Sequence, residues 1–170
     1  MDTYLSIVSK REVRSYEDRP IPGEVNRRIL EAGRIAGSSA NKQQRRFVAV
    51  ESPEAVARLA EAVWVPTNIA SAALVVAIAV WDKGPTAFDA GRAAQNMMLA
   101  AWNDGVGSCP NGTRDPDAAK EALQLGADES IGIILSFGYP ARPVDPESRS
   151  PDEWIERANR TPFDEIVERL

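Results

Sequence analysis

Histidine is absent from the 170 residues of the sequence, and cysteine occurs once, as Cys109. Without histidine there is no Ser-His-Asp or Cys-His nucleophile, none of the usual zinc sites, and no side chain of the kind most often used as a general base near neutral pH. A single cysteine excludes a disulfide within the chain and favours a reducing compartment. If the protein is an enzyme, we therefore expect a cofactor to carry its chemistry.

Positive charge and long apolar runs are also scarce. The chain has 20 Lys and Arg against 25 Asp and Glu, a formal net charge of −5, so it lacks the broad basic face that nucleic-acid binding requires. The longest apolar run, residues 69–81, contains Ser71 and is too short to span a bilayer. The N-terminal residues have neither the basic nor the apolar region of a signal peptide. We therefore expect a soluble, cytoplasmic protein that binds neither nucleic acid nor a membrane.

What the chain does contain is sufficient for a hydrophobic core. Apolar residues make up 44% of the sequence, and with no repeat or low-complexity tract we predict a single domain over residues 1–170. Alternating or continuous apolar runs predict strands at 46–50, 73–80 and 131–137. Apolar residues at helical spacing predict helices, chiefly at 2–9, 22–36, 53–63, 86–103 and 151–157. The prediction is a central sheet of four or five strands with helices on it.

A cationic stretch, residues 9–16, carries three positive charges within five residues, at Lys10, Arg11 and Arg14. A loop with Pro20 and Pro22 follows it. By itself such a cluster is most often a solvated patch, but arginine also binds a dianion such as phosphate through two parallel hydrogen bonds. Glu12 lies among these cations and would repel a phosphate, so we expect only its backbone to be used.

Two further segments are predicted to be loops. Each is either a plain connector between elements or part of a binding site. Residues 37–44 offer hydroxyl and amide groups suited to a planar heterocycle. Residues 105–112 contain three glycines, which allow a backbone to approach a ligand closely. Cys109 lies in this second loop without a histidine or an evident cationic neighbour to activate it, so we interpret it as a structural thiol.

Taken together and in order, six stretches resemble the FMN-dependent nitroreductase superfamily. They are Lys-Arg-Glu-Val-Arg-Ser-Tyr at 10–16, Ala-Gly-Ser-Ser-Ala-Asn-Lys-Gln at 36–43, the helix at 89–101, Gly-Val-Gly-Ser-Cys at 105–109, Phe-Gly-Tyr-Pro-Ala at 137–141, and Asn-Arg-Thr-Pro-Phe-Asp-Glu-Ile-Val at 159–167. The sequence departs from the family pattern at three places. Glu12 stands where the family has serine, Lys10 where it has arginine, and Gln44-Arg45 where it has Pro-Trp.

The resemblance implies an α+β fold with a central, mostly antiparallel sheet flanked by helices. It also implies an intertwined homodimer with FMN at the subunit interface, and no metal site. At the phosphate and the polar flavin edge, FMN would be contacted by Lys10, Arg11, Arg14 and the backbone of Glu12. Arg160 would also reach the phosphate, and Asn68 would contact the flavin by its amide. The partner subunit would contribute Ser38, Ser39 and Asn41, and flavin N5 would lie near Pro110, Asn111 and Gly112.

The function that the resemblance implies is an oxidoreductase that transfers electrons from NAD(P)H through FMN to a small organic acceptor, in ping-pong order. The acceptor would be a nitroaromatic, a quinone, an enone or a flavin, and flavin N5 would be the reacting group instead of a side chain. Two alternatives remain open. One is a flavin-binding protein of the same fold that stores or converts the flavin without NAD(P)H turnover. The other is a cofactor-free dimeric scaffold whose cationic stretch is solvated surface.

Overall fold

The structure is a computed structural model that describes residues 1–81 and 83–170. The chain divides into two units. Residues 11–144 form the first, called the sheet unit below. Residues 1–10 and 145–170 form the second, called the end unit. The single domain predicted over residues 1–170 stays a prediction.

The sheet unit is built on four antiparallel strands in the order β1-β2-β4-β3. These strands are β1 (Arg45–Val50), β2 (Leu74–Trp81), β3 (Gly107–Asn111) and β4 (Glu129–Gly138). The two central strands, β2 and β4, are the most apolar because helices cover both of their faces. The expected α+β fold, with an antiparallel sheet flanked by helices, is confirmed.

Five helices cover the two faces of this sheet. They are α2 (Gly23–Arg34), α3 (Pro53–Glu61), α4 (Pro66–Ala70), α5 (Thr86–Asn103) and α6 (Pro116–Ala122). On one side, the α2/α5 face, Ile29 and Met97 pack with Ile78 in an apolar cluster. On the other side, the α3/α6 face, Leu59 packs with Ile134 in a second cluster. Side chains alternate between the two clusters along each strand, as the pleat requires.

The α2/α5 face is closely packed where α2 crosses α5. A Cβ placed on Gly33 would lie 2.7 Å from the sulfur of Met97 and 2.9 Å from the ring of Phe47. Glycine at this position therefore lets the two helices and the sheet approach one another. This contact places the N-terminal part of the sheet unit firmly against its core.

One prediction about the sheet is wrong. Residues 105–112 are not simply a loop, because residues 107–111 pair with β4 along their length. Glycine and proline have low strand propensity, but an edge strand tolerates Pro110, which needs no ladder hydrogen bond on its outer side. Pairing with a distant strand has overridden the local pattern.

The end unit contains three short helices: α1 (Thr3–Ser9), α7 (Pro151–Arg157) and α8 (Phe163–Ile166). Helices α1 and α7 pack on each other, and both match the predicted segments. Asp2 caps α1 by accepting the N–H of Leu5 at 2.9 Å. Ser150 and Glu153 form a capping box at the start of α7. Within the part of the chain that the structure describes, no helix has the length and apolarity of a membrane span.

Candidate functional site

Residues 11–16 of the cationic stretch lie alongside β3, although the two are far apart in sequence. The N–H of Val13 donates to the carbonyl of Ser108 at 3.0 Å, and Glu12 pairs with Ser108 in a parallel bridge. Gly107 permits this approach, because a Cβ there would lie 2.7 Å from the Cβ of Val13. The structure therefore brings residues 11–16 and the glycine-containing segment together.

Tyr16 fixes the far end of the cationic stretch. Its backbone pairs with Pro140 in an antiparallel bridge. Its ring lies against Gly138, where an added Cβ would come within 2.7 Å of the ring carbon Cγ. This packing needs glycine at position 138, and it anchors residues 11–16 to the end of β4.

The charged residues of the stretch differ in exposure. Arg11 is half-buried, whereas Glu12 and Arg14 are exposed. Glu12 is joined to β3 through its backbone, which leaves its carboxylate at the protein surface. The remaining two cations predicted from the sequence belong to the end unit. Lys10 ends α1, and Arg160 is exposed beyond α7, so their part in the site stays a prediction.

Asn68 and Asn111 are brought into direct contact. The Nδ2 of Asn68 donates to Oδ1 of Asn111 at 3.0 Å. The Nδ2 of Asn111 donates in turn to the carbonyl of Cys109 at 2.9 Å and to Oγ of Ser136 at 3.1 Å. Both asparagines are buried, with exposures of 4% and 5%. Two of the amides predicted near a flavin are therefore held by hydrogen bonds inside the protein.

The hydroxyl of Tyr16 joins the same group. It lies 2.7 Å from the carbonyl of Val13 and 3.0 Å from Oγ of Ser136. Burial raises the pKa of Tyr16 well above its ordinary value, so the phenol keeps its proton and stays a donor. Neither Tyr16 nor Ser136 was predicted from the sequence as a site residue. The signal for Ser136 was present, since it is a serine within the apolar run Ile-Ile-Leu-Ser-Phe.

The end of β3 exposes backbone beside this buried group. Pro110 and Gly112 are exposed on either side of the buried Asn111. The N–H of Trp64 donates to the carbonyl of Gly112 at 3.2 Å, and the Trp64 side chain is 68% exposed. The surface here combines accessible backbone and an exposed aromatic ring, with the buried Asn68 behind them. Trp64 is a third residue at this site that was not predicted from the sequence.

The segment with Ser38, Ser39 and Asn41 lies between α2 and β1. The N–H of Ser39 donates to the buried carboxylate of Asp89 at 3.0 Å. Asn41 and two of its neighbours have positive φ angles, Ala40 at 47° and Gln43 at 56°, which are strained for residues other than glycine. None of the described hydrogen bonds of residues 38–41 reaches β3 or residues 11–16. Their assignment to the partner's site stays a prediction.

Arg45, one of the departures from the family pattern, is buried. Its Nη2 donates to the carbonyl of Ala36 just beyond the end of α2. Its Nη1 has no hydrogen-bond partner among the residues that the structure describes. The guanidinium therefore stabilises the turn between α2 and β1, and it is not part of an exposed cofactor-binding surface in this chain.

A comparison with protein families identifies one match. The model of the nitroreductase family matches residues 7–84 and 82–139, which cover most of the chain. The match includes residues 11–16, Asn68 and β3. It confirms the resemblance that the six sequence stretches indicate.

Individual proteins give the same result. A protein of Archaeoglobus fulgidus, provisionally named an NADH dehydrogenase/NAD(P)H nitroreductase, is 32% identical over 79% of this chain and 83% of its own length. A provisionally named nitroreductase from Desulfovibrio desulfuricans, crystallised in complex with FMN, is 25% identical with a TM-score of 0.82 and covers 100% of this chain and 98% of its own. A nitroreductase family protein from Clostridium difficile 630 shares the fold, with 24% identity, a TM-score of 0.83 and coverage of 99% and 98%.

Proposed function

The chain belongs to the nitroreductase family, and on this basis we propose that it is an FMN-dependent oxidoreductase. When bound, FMN would supply the redox chemistry, taking electrons from NAD(P)H and passing them in ping-pong order to a small organic acceptor such as a nitroaromatic, a quinone, an enone or a flavin. One observation carries the proposal. Arg11 and Arg14 lie on a segment hydrogen-bonded to β3, whose end exposes backbone beside Asn68.

The residues at this place suit the two parts of FMN. A phosphate dianion requires cations, which Arg11 and Arg14 supply, and guanidinium groups bind phosphate oxygens in pairs. A flat ring requires accessible backbone or another flat ring to lie against, and the end of β3 offers Gly112 with the exposed Trp64 ring beside it. Asn68 adds an amide at the same end. In this proposal Lys10 and Arg160 join the phosphate contacts on the strength of the family pattern alone.

This mode of action also accounts for the absence of histidine. A flavin accepts and donates electrons without a protein acid or base in the reacting position. The protein would then bind the phosphate, orient the ring and leave one face of it accessible. No residue of the chain is proposed as a catalytic acid, base or nucleophile.

We further propose that the site is completed by a second copy of the chain. Four of the clefts on the described surface, with volumes of about 310 to 490 Å³, are lined by residues other than Arg11, Arg14, Asn68 and residues 110–112. Large apolar side chains are exposed in both units, which is typical of an interface. They are Tyr4, Ile7, Ile35, Phe88, Phe163 and Ile166. A homodimer would cover them and would bring Ser38, Ser39 and Asn41 to the partner's FMN.

The experiment that tests the proposed function starts with FMN binding. We expect the purified protein to retain FMN, or to take it up when it is added, and to oxidise NAD(P)H when an acceptor is present. Failure to bind FMN would refute the cofactor assignment and favour the cofactor-free scaffold. Bound FMN that NAD(P)H does not reduce would favour the alternative flavin-binding protein without turnover.

The phosphate site has its own test. Arg14→Ala should weaken FMN binding about 10- to 100-fold, since a lost charge-assisted hydrogen bond costs about 1.5–3 kcal/mol. Arg160→Ala should have a similar effect if the family pattern holds for this chain. Arg58→Ala, an exposed arginine on α3, serves as the control and should leave the affinity unchanged. Unaltered FMN affinity in both Arg14→Ala and Arg160→Ala would mean that the phosphate binds elsewhere.

A further inference from the structure

A chain of buried polar side chains runs behind the exposed end of β3. It comprises Asn68, Asn111, Ser136 and Tyr16, none of which is more than 8% exposed. All four lie on the α3/α6 side of the sheet, next to a cluster that is otherwise apolar. A buried polar group costs free energy unless it finds a hydrogen-bond partner, whereas apolar residues of similar size fill a core without that requirement. A role in orienting groups at the surface would account for their presence.

The orientation of the two amides follows from one backbone group. The carbonyl of Cys109 can only accept a hydrogen bond, so the atom of Asn111 at 2.9 Å from it must be Nδ2. The Oδ1 of Asn111 then faces Asn68, which must present its own Nδ2 at 3.0 Å. Asn68 is left with Oδ1 as the amide atom that has no hydrogen-bond partner among the described residues. Toward a ligand, Asn68 is therefore an acceptor.

The hydroxyl groups continue the chain in one direction. The Oγ of Ser136 accepts from Asn111 at 3.1 Å and lies 3.0 Å from the hydroxyl of Tyr16. The Tyr16 hydroxyl has one proton, and its shortest contact is the carbonyl of Val13 at 2.7 Å. If Tyr16 donates to that carbonyl, its oxygen can accept from Ser136 at 3.0 Å, a shorter contact than the 3.3 Å between Ser136 Oγ and the carbonyl of Cys109 or the 3.2 Å between the Tyr16 hydroxyl and the carbonyl of Ser136. With these shortest contacts the donors run in one direction, from Asn68 to the backbone of residue 13, and hydrogen bonds in such a series strengthen one another.

This series joins the two parts of the proposed FMN site. Its first member, Asn68, lies beside the exposed end of β3, and its last acceptor, Val13, lies between Arg11 and Arg14. We propose that Ser136 and Tyr16 are positioning residues that fix the Asn68 and Asn111 amides and the backbone of residues 110–112 relative to the cationic segment. The proposal rests on the proposed function, because its ligand is the FMN assigned there.

Two conservative substitutions test this role. Tyr16→Phe keeps the ring on Gly138 and removes only the hydroxyl. Ser136→Ala removes the group that accepts from Asn111. The matched control is Ser130→Ala on the same strand, whose hydroxyl makes only a 3.4 Å contact with the carbonyl of Val80. We expect Tyr16→Phe and Ser136→Ala each to raise the FMN dissociation constant about tenfold, which is the size of effect expected when one buried hydrogen bond is lost. Ser130→Ala should leave the dissociation constant unchanged.

Two further measurements separate positioning from general support of the fold. The midpoint potential of bound FMN should shift in both variants, because the ring is held differently, and amide hydrogen exchange at residues 111 and 112 should accelerate relative to β2. Variants that lose thermal stability but keep wild-type FMN affinity, potential and local exchange would overturn the proposal.

The exchange measurement also distinguishes this proposal from the proposed function. It is made on the protein without added flavin, so it has a result even if no FMN binds. Faster exchange at residues 111 and 112 in Tyr16→Phe and Ser136→Ala, in a protein that does not bind FMN, would uphold the hydrogen-bonded series and refute the cofactor. Exchange as slow as in Ser130→Ala would refute the series itself. If Tyr16→Phe fails to fold, Ser136→Ala alone decides the outcome.

Discussion

The two faces of the sheet both bury apolar clusters, but they treat buried polar side chains differently. On the α2/α5 side these side chains are separate from one another. Ser108 has no hydrogen-bond partner for its Oγ among the described residues, and Asp89, in the first turn of α5, accepts from the backbone N–H of Ser39. On the α3/α6 side, Asn68, Asn111 and Ser136 form one connected series. We infer that the α2/α5 face mainly stabilises the fold, whereas the α3/α6 face also holds the end of β3 and its neighbouring amides in a defined position.

The largest effect is expected from the apolar centre of the α2/α5 face. Ile78→Ala should lower the free energy of unfolding by about 2–5 kcal/mol, because it removes a fully buried side chain from the central strand and leaves a cavity. Urea titration measures this loss. FMN affinity of the folded fraction should not change. Arg58→Ala is the control, since that side chain is exposed and is not part of the proposed interface; it should change the stability by less than about 0.5 kcal/mol.

The connected series on the α3/α6 face should respond differently. Asn111→Leu leaves Asn68, Ser136 and the carbonyl of Cys109 short of partners, and should cost about 1–3 kcal/mol of stability. The double variant Asn68→Leu/Asn111→Leu removes one of these unsatisfied groups and should regain part of that loss. FMN binding should stay impaired in both variants. A double variant with wild-type affinity would remove the distinction between the two faces.

Ser108 offers a smaller effect of opposite sign. Its side chain is 1% exposed and its Oγ has no partner among the described residues, so the hydroxyl carries a cost of burial without a hydrogen bond. Ser108→Ala should leave the free energy of unfolding unchanged or raise it by up to about 1 kcal/mol. Calorimetry beside Ser136→Ala makes the comparison direct, because both are fully buried serines on adjacent strands. If Ser108→Ala lowers the free energy of unfolding as much as Ser136→Ala does, the hydrogen-bonded series is not what distinguishes the two serines.

The smallest effect concerns an ion pair at the margin of the α3/α6 face. The Nε of Arg46 lies 2.6 Å from a carboxylate oxygen of Glu129, and the N–H of Gly126 donates to the other oxygen. The hydrogen bond from Arg46, and after it the one from Gly126, lower the pKa of Glu129 from 4.5 to about 2. The stabilising contribution is therefore complete above about pH 4.5 and is lost as the pH falls towards about 2. In Glu129→Gln, the melting temperature should therefore fall less steeply than in the wild type as the pH is lowered from about 4.5 to about 2. An acid limb identical to the wild type would mean that the pair contributes nothing measurable.

The fold was largely predictable because its main elements are locally encoded. The helix over 86–103 has a long apolar periodicity that ends at Asp104-Gly105, and the structure places α5 at Thr86–Asn103. The buried strands β2 and β4 were recognisable from their continuous apolar runs. Strand β3 was not predicted because it contains glycine and proline, which have low strand propensity. It is a strand only through its pairing with β4.

The candidate site was predictable in part. Asn68, Asn111 and Arg14 were named from their resemblance to a family pattern, and the structure joins the two asparagines directly. Tyr16 and Ser136 were missed because their contact links residues at opposite ends of the sheet unit's sequence, and no local pattern records such a contact. The roles at FMN of all the predicted site residues stay predictions. This holds for Asn68, Asn111 and Arg14 as it does for Lys10, Ser38 and Arg160.

The composition of the end unit has a consequence for synthesis. Its first helix, α1, is translated early, but α7, on which it packs, is translated only after residues 11–144. A helix of seven residues is not stable by itself in water, so α1 has to remain unformed while the ribosome makes the sheet unit. The sheet unit has all of its strands before α7 is made, so folding during translation would begin there. Helices α1 and α7 can pack on each other only after residue 157 has been added.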